Sequence, residues 1–425
     1  MPSNLSLVAA FAVAATRVVW GTGSGEFATQ ADAAADTVAL PGQRLLAGAA
    51  FVIGLLGGFL VLASFGFVGV WQRGIFGNDF SLIWTGPHLF VMGANPYDPQ
   101  VWQRQISELG VQATSTSVFI YPGWVPIAIA PFGALPLPIA APLWLAITLV
   151  IAATGLFALG EARFRQLPLA HTLFAFALIG SEPGIVTFYS GQWDFLLVGG
   201  LALMAVWLRR RPALAGVAAS VMLFKPQLFF VAVPALFRVA LVRKARGFVF
   251  AFVALAVLAA VASAIAFPGW WQAWAAVPTS QAGDIRAATL PNGLRDTFGT
   301  PGLVAGVALV LTLIAAGLRF SPRSEAAVPV WIAISLSAAP YAFVYDHVLA
   351  LVPLALATGI IGQRDRARAL GLAAVGVAIL VVGAVLLHAF PGVDHGTLSF
   401  NGIAQFALLA MVVWALWPYR RVSAA

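Results

Sequence analysis

The 425-residue sequence contains no cysteine, and only 9% of its residues are Asp, Glu, Lys or Arg. The first absence rules out disulfides, thiolate metal sites and a cysteine nucleophile, and leaves the redox compartment open. The second rules out an ordinary soluble domain, in which about a quarter of residues are charged. Also missing are a Walker A sequence, a dinucleotide glycine fingerprint, HExxH, and the paired-aspartate DxD motif of soluble nucleotide-sugar transferases. Neither a bound metal nor a resident cofactor is therefore expected.

What is present is apolar: 61% of residues are hydrophobic, and the mean hydropathy is +0.93. Runs long enough to cross a hydrocarbon core, which takes roughly 20 helical residues, recur along almost the whole chain. The first is Leu45 to Trp71, and others lie near 140–160, 169–184, 193–208, 247–266, 301–318, 326–345, 348–362, 369–388 and 401–417. Ten crossings result, and the fold class is an all-α polytopic membrane protein. The net charge of +8 falls in short clusters between apolar runs, at Arg163/Arg165, Arg209 to Arg211, Arg238 to Arg246, Arg319/Arg323, Arg364 to Arg368 and Arg420/Arg421. Such clusters report membrane topology and not nucleic-acid binding. Placed inside, they put both termini in the cytoplasm of a multi-pass plasma-membrane protein. The connections 72–119, 182–193, 268–300, 345–347 and 389–400 then face outward.

Residues 1–44 are expected to be a disordered tail or an over-extended start of the reading frame. The apolar stretch Leu7 to Ala15 lacks the positive start of a signal peptide and is followed by Arg17. Residues 45–418 are expected to form one membrane domain, with 419–425 a cytoplasmic tail. Two segments break the simple count. Between Arg211 and Arg238 a short helical hairpin is expected, with Lys225-Pro226 near its tip. From Tyr121 to Pro138, five prolines oppose a straight span and point to a re-entrant or interfacial element. Irregular backbone at membrane depth persists only against protein or a water-filled cavity.

Several polar residues stand out against this background. Asp79 follows the first span directly, and either caps the helix from Phe80 or acts as a general base beside a partly dry cavity. Asp98 in Asn95-Pro96-Tyr97-Asp98-Pro99 is explained by a turn and a helix cap, ahead of an interfacial helix 99–109. Lys225 is a lone cation in an apolar hairpin, either a site residue or one that snorkels or pairs silently with an acid. His347, beside Tyr345 and Asp346, is expected to line the cavity. Trp270, Trp271 and Trp274 fit an interfacial belt, or a surface on which a sugar stacks. Gly191-Gln192-Trp193-Asp194 makes a further polar turn, and Arg286 and Arg295 lie in the outer segment 268–300.

In order, Asn78-Asp79-Phe80, the Asn95 to Pro99 motif, Tyr121-Pro122, Gly191-Gln192, Arg209 to Gly216 with Lys225-Pro226, and Tyr345-Asp346-His347 resemble a known family. It comprises the polyprenol-phosphate-mannose-dependent mannosyltransferases, which are class C (GT-C) membrane glycosyltransferases. The resemblance covers about residues 45–418. It departs at Gly123, where the family often has proline, and at Asp194, where it often has asparagine.

The resemblance implies a GT-C-like bundle of about 10–12 transmembrane helices, with interfacial helices in the first outer loop. It also implies transfer of a hexose, usually mannose, from a polyprenyl-phosphate sugar to a lipid or glycan acceptor on the outer face, with inversion. The position matching the family's catalytic aspartate is Asp79. Lys225, His347, Arg286 and Arg295 are then candidates to stabilise the phosphate, with Asp98 and Gln192 as further substrate-binding candidates. The alternative is a transporter or flippase of lipid-linked sugars; no internal repeat supports it.

Overall fold

The computed structural model describes residues 41–69, 79–110, 118–281, 289–389 and 400–421. The tail before residue 41 and Arg286 fall outside these segments. Among the described residues every regular element is helical. The first part of the chain forms α1 (Pro41–Gly69), α2 (Asp79–Val91), α3 (Pro99–Glu108), α4 (Trp124–Ala128), α5 (Ala130–Gly133) and α6 (Leu137–Arg163). Then come α7 (Pro168–Gly180), α8 (Glu182–Ser190), α9 (Asp194–Trp207), α10 (Pro212–Ala219), α11 (Pro226–Phe229), α12 (Ala232–Val242) and α13 (Arg246–Ala266). The remainder forms α14 (Trp270–Gln281), α15 (Leu290–Gly317), α16 (Ala327–Ala338), α17 (Leu351–Gly362), α18 (Arg366–Ala389) and α19 (Phe400–Ala415). Prolines in the first turn open α3, α6, α7, α8, α10 and α11. Their missing N–H is lost where a helix has no partner for it, and their fixed φ suits the helix.

Each of the ten apolar runs is helical over most of its described length. Five helices have the length and apolarity of a full crossing: Gly42–Ser64, Leu137–Arg163, Arg246–Ala266, Leu290–Gly317 and Val344–Gly362. A sixth crossing arises if α7 and α8, bent by 47°, act as one. Among the shorter apolar helices, the 14 residues of α9 reach only about 21 Å, less than the hydrocarbon thickness. The segment 344–362 lies at the centre, with 89% of its apolar window buried. Outer helices instead expose large apolar side chains such as Leu60, Phe250 and Val304. Such a surface suits lipid and would aggregate in water.

Close packing brings α6 against α9. A Cβ on Gly155 would lie 2.7 Å from the Gly199 carbonyl oxygen, so both positions must stay bare for the backbones to meet. The segment 211–243 enters and returns to one end of the bundle, with Lys225 at the far end between a 3-10 turn (Ser220–Phe224) and α11. The expected hairpin is splayed, however: α10 and α12 both pack on α13 instead of on one another. The proline-rich stretch after Tyr121 forms two short helices, α4 and α5, broken at Ile129 and packed on α2. Helix α3 turns Trp102 and Ile106 inward, with Trp102 against Phe119.

Candidate functional site

One end of the bundle gathers the start of α2, the turn before α9, the break at Lys225 and the 3-10 segment Val344–Ala350. Asp79 is the first residue of α2, half-buried, and its Oδ2 accepts a 2.8 Å hydrogen bond from Gln192 Nε2. The Gln192 Oε1 in turn accepts from the Tyr121 hydroxyl at 3.4 Å. With both ends of its amide engaged, Gln192 presents its N–H to Asp79 in one orientation. Burial pushes the Asp79 carboxyl above the usual carboxylate range; the Gln192 hydrogen bond and the positive charge of Lys225 oppose that shift.

The turn carrying Gln192 is fixed by its neighbours. Gly191 ends α8 in the left-handed region, at φ +65°, and its carbonyl accepts from Trp144 Nε1 at 3.0 Å. A side chain at 191 would meet the Phe80 Cβ at 2.7 Å. Gly191→Ala is therefore expected to destabilise the protein by about 1–2 kcal/mol from the backbone alone. Contact with Phe80, the neighbour of Asp79, adds to that loss, and thermal unfolding in detergent checks it. Trp193, fully buried, stacks its edges against Tyr121 and Trp144 and lies at 4.9 Å from the Phe224 ring.

Two residues after Gln192, Asp194 opens α9 and meets Lys225. Lys225 Nζ lies 2.8 Å from Asp194 Oδ2 and 2.5 Å from Asp346 Oδ1, with the Tyr345 ring 4.5 Å below it. All three charged side chains are buried. The second oxygen of Asp346 accepts from the Phe343 amide at 2.7 Å, while the second oxygen of Asp194 is buried without a partner among the described residues. One ammonium thus faces two carboxylates, and the triad carries an excess negative charge unless a proton is shared. Lys225 does not snorkel. It pairs with acids that sequence reasoning had left out of the site, although the need of a buried cation for counter-charges was the available signal.

The other expected site residues divide. His347 is buried beside Asp346 in the same 3-10 segment. Asp98 caps α3, its Oδ1 accepting from the amides of Gln100 and Val101. Arg295 is exposed and pairs with adjacent Asp296, so it is not drawn into the buried cluster. Trp270 packs against Tyr97 and Trp124, and Trp274 donates to the Ile120 carbonyl at 2.8 Å. These two rings brace the 118–124 wall, and Trp271 remains exposed as a belt residue would be.

Among comparisons with known proteins, no curated protein and no solved structure matches the chain. The family model described as glycosyltransferase family 87 matches residues 119–343, just over half of the sequence, and takes in Tyr121, Gln192, Asp194 and Lys225. A polytopic all-helical bundle agrees with the class C architecture that the motif order resembles. The chain belongs to glycosyltransferase family 87, of the GT-C clan.

Proposed function

We propose that the protein transfers a hexose, most simply mannose, from a polyprenyl-phosphate sugar to a lipid or glycan acceptor on the outer face of the membrane. The anomeric carbon inverts in a single displacement. An acceptor oxygen forms its bond to C1 as the C1–O bond to the polyprenyl phosphate breaks, and the hydroxyl proton passes to Asp79. The observation that carries this reading is the hold on that carboxylate: Gln192 binds Oδ2, leaving Oδ1 to accept the proton. A phosphate is a good leaving group and requires cations more than an acid, so one base suffices. Lys225 already bonds Asp194 and Asp346, which leaves one N–H of its ammonium for a donor phosphate. His347, in the adjacent turn, is the other basic group offered to the phosphate.

The test is incubation of purified protein with radiolabelled polyprenyl-phosphate mannose and candidate acceptors. A glycosylated product supports the reading; movement of label across a bilayer without product replaces it with lipid-linked sugar transport. The pH profile checks the base separately. Since Asp79 must be ionised, kcat/KM falls as pH drops through its pKa. Gln192→Leu removes a hydrogen bond that holds this pKa down, and so is expected to move the acid limb to higher pH. An unmoved limb assigns the limb to another group.

A further inference from the structure

At the end of the bundle opposite Asp79, three arginines converge on one glutamate. Arg163 closes α6, Arg209 follows α9, Arg243 follows α12, and Glu325 precedes α16. Arg209 Nη1 lies 3.0 Å from Glu325 Oε1, and Arg163 Nη1 lies 3.8 Å from Oε2. Arg243 is clamped differently, its Nε donating to the Pro322 carbonyl at 3.0 Å and its Nη2 to that of Ser324 at 2.5 Å. The four charged residues line a hollow of about 20 Å³, floored by Leu208 and Val328. Three guanidiniums against one carboxylate leave two positive charges uncompensated beside an apolar floor. The other nearby acid, Glu161, is already taken by Arg165 at 3.1 Å.

We propose that this nook binds a phosphate group, supplied by an anionic phospholipid of the leaflet opposite the Asp79 site. Three features favour that chemistry. Guanidinium forks match phosphate oxygens, whereas a neutral headgroup leaves the surplus charge unanswered. A hollow of this volume admits about one oxygen-sized group, so a single phosphate oxygen enters while the rest of the headgroup stays at the rim beside exposed Arg209. Arg210, Arg211, Lys244 and Arg246 lie within a few residues along the chain and add long-range attraction. The site involves neither Asp79 nor the proposed transfer reaction.

The full chain in a neutral detergent is titrated with short-chain phosphatidylglycerol, with phosphatidylcholine and with inorganic phosphate. Bound lipid is counted by native mass spectrometry and anion binding by thermal shift. Phosphatidylglycerol is expected to bind more tightly than phosphatidylcholine, and the double variant Arg163→Gln, Arg209→Gln to weaken it by about 25-fold, roughly fivefold for each charge. Arg243 is left untouched because it holds backbone carbonyls. Glu325→Gln provides the opposite arm: it removes the competing carboxylate and is expected to tighten binding by roughly fivefold. Equal retention of the two lipids, an unchanged double variant, or weaker binding in Glu325→Gln overturns the proposal and reduces the cluster to an ion-pair brace. Stabilisation by inorganic phosphate with none from phosphatidylglycerol overturns the lipid as the source of the anion.

Discussion

Asp79→Asn is expected to lower sugar transfer by about 10²–10⁴-fold while leaving the protein folded. Asparagine keeps an oxygen for the Gln192 amide and nearly the same volume, so the packing around the start of α2 survives. What it lacks is a site for the acceptor's proton. The loss should fall on kcat, with little change in the donor KM, because the carboxylate acts on the acceptor hydroxyl as its bond to C1 forms. Steady-state kinetics on folded variant, with melting temperature as the control, decide the matter. Full activity in Asp79→Asn removes the proposed base.

The second large effect concerns Lys225. Replacing it by methionine leaves Asp194 and Asp346 facing one another in a buried site, and loss of one partner from such a pair costs about 3–5 kcal/mol. Poor expression or a sharply lowered melting temperature is the expected result. The uncharged set Lys225→Met, Asp194→Asn, Asp346→Asn should recover most of that stability. No unpaired charge remains in it, and the amide oxygen introduced by Asp346→Asn still accepts from the Phe343 amide. Its kinetics then separate two roles. A raised donor KM in the folded triple variant places Lys225 on the phosphate; an unchanged KM makes it a brace beneath Gln192. Asp194→Asn alone leaves one cation with one carboxylate and is expected to be mild, as the asparagine common at this position in the resembled family suggests.

The helices were legible because apolar length and first-turn proline are local properties of the chain, and each of the ten runs became largely helical. The broken nature of 121–138 was legible for the same reason, through its prolines. Splaying of the 211–243 arms was not, because it depends on where α13 packs. Within the site, Asp79 and Lys225 stood out as charges against apolar surroundings. Their pairings did not: Gln192, itself a candidate, reaches Asp79 across 113 positions, and Asp346 reaches Lys225 across 121. No periodicity encodes such distant pairings. Arg295 lies outside the buried cluster, exposed and paired with the adjacent Asp296. Asp98 was read as a cap, and its cap bonds are present.

The spacing of the triad along the chain also orders its assembly on the ribosome. Asp194 precedes Lys225 by 31 residues, so the lysine has its first counter-ion when it is made. Asp346 follows 121 residues later, which is about 6–24 seconds of synthesis at typical rates. During that interval the nascent half-protein holds a balanced one-to-one pair. The surplus carboxylate arrives only with the central segment whose turn it caps, so the two-to-one excess of acid over lysine does not exist while the early helices are inserted.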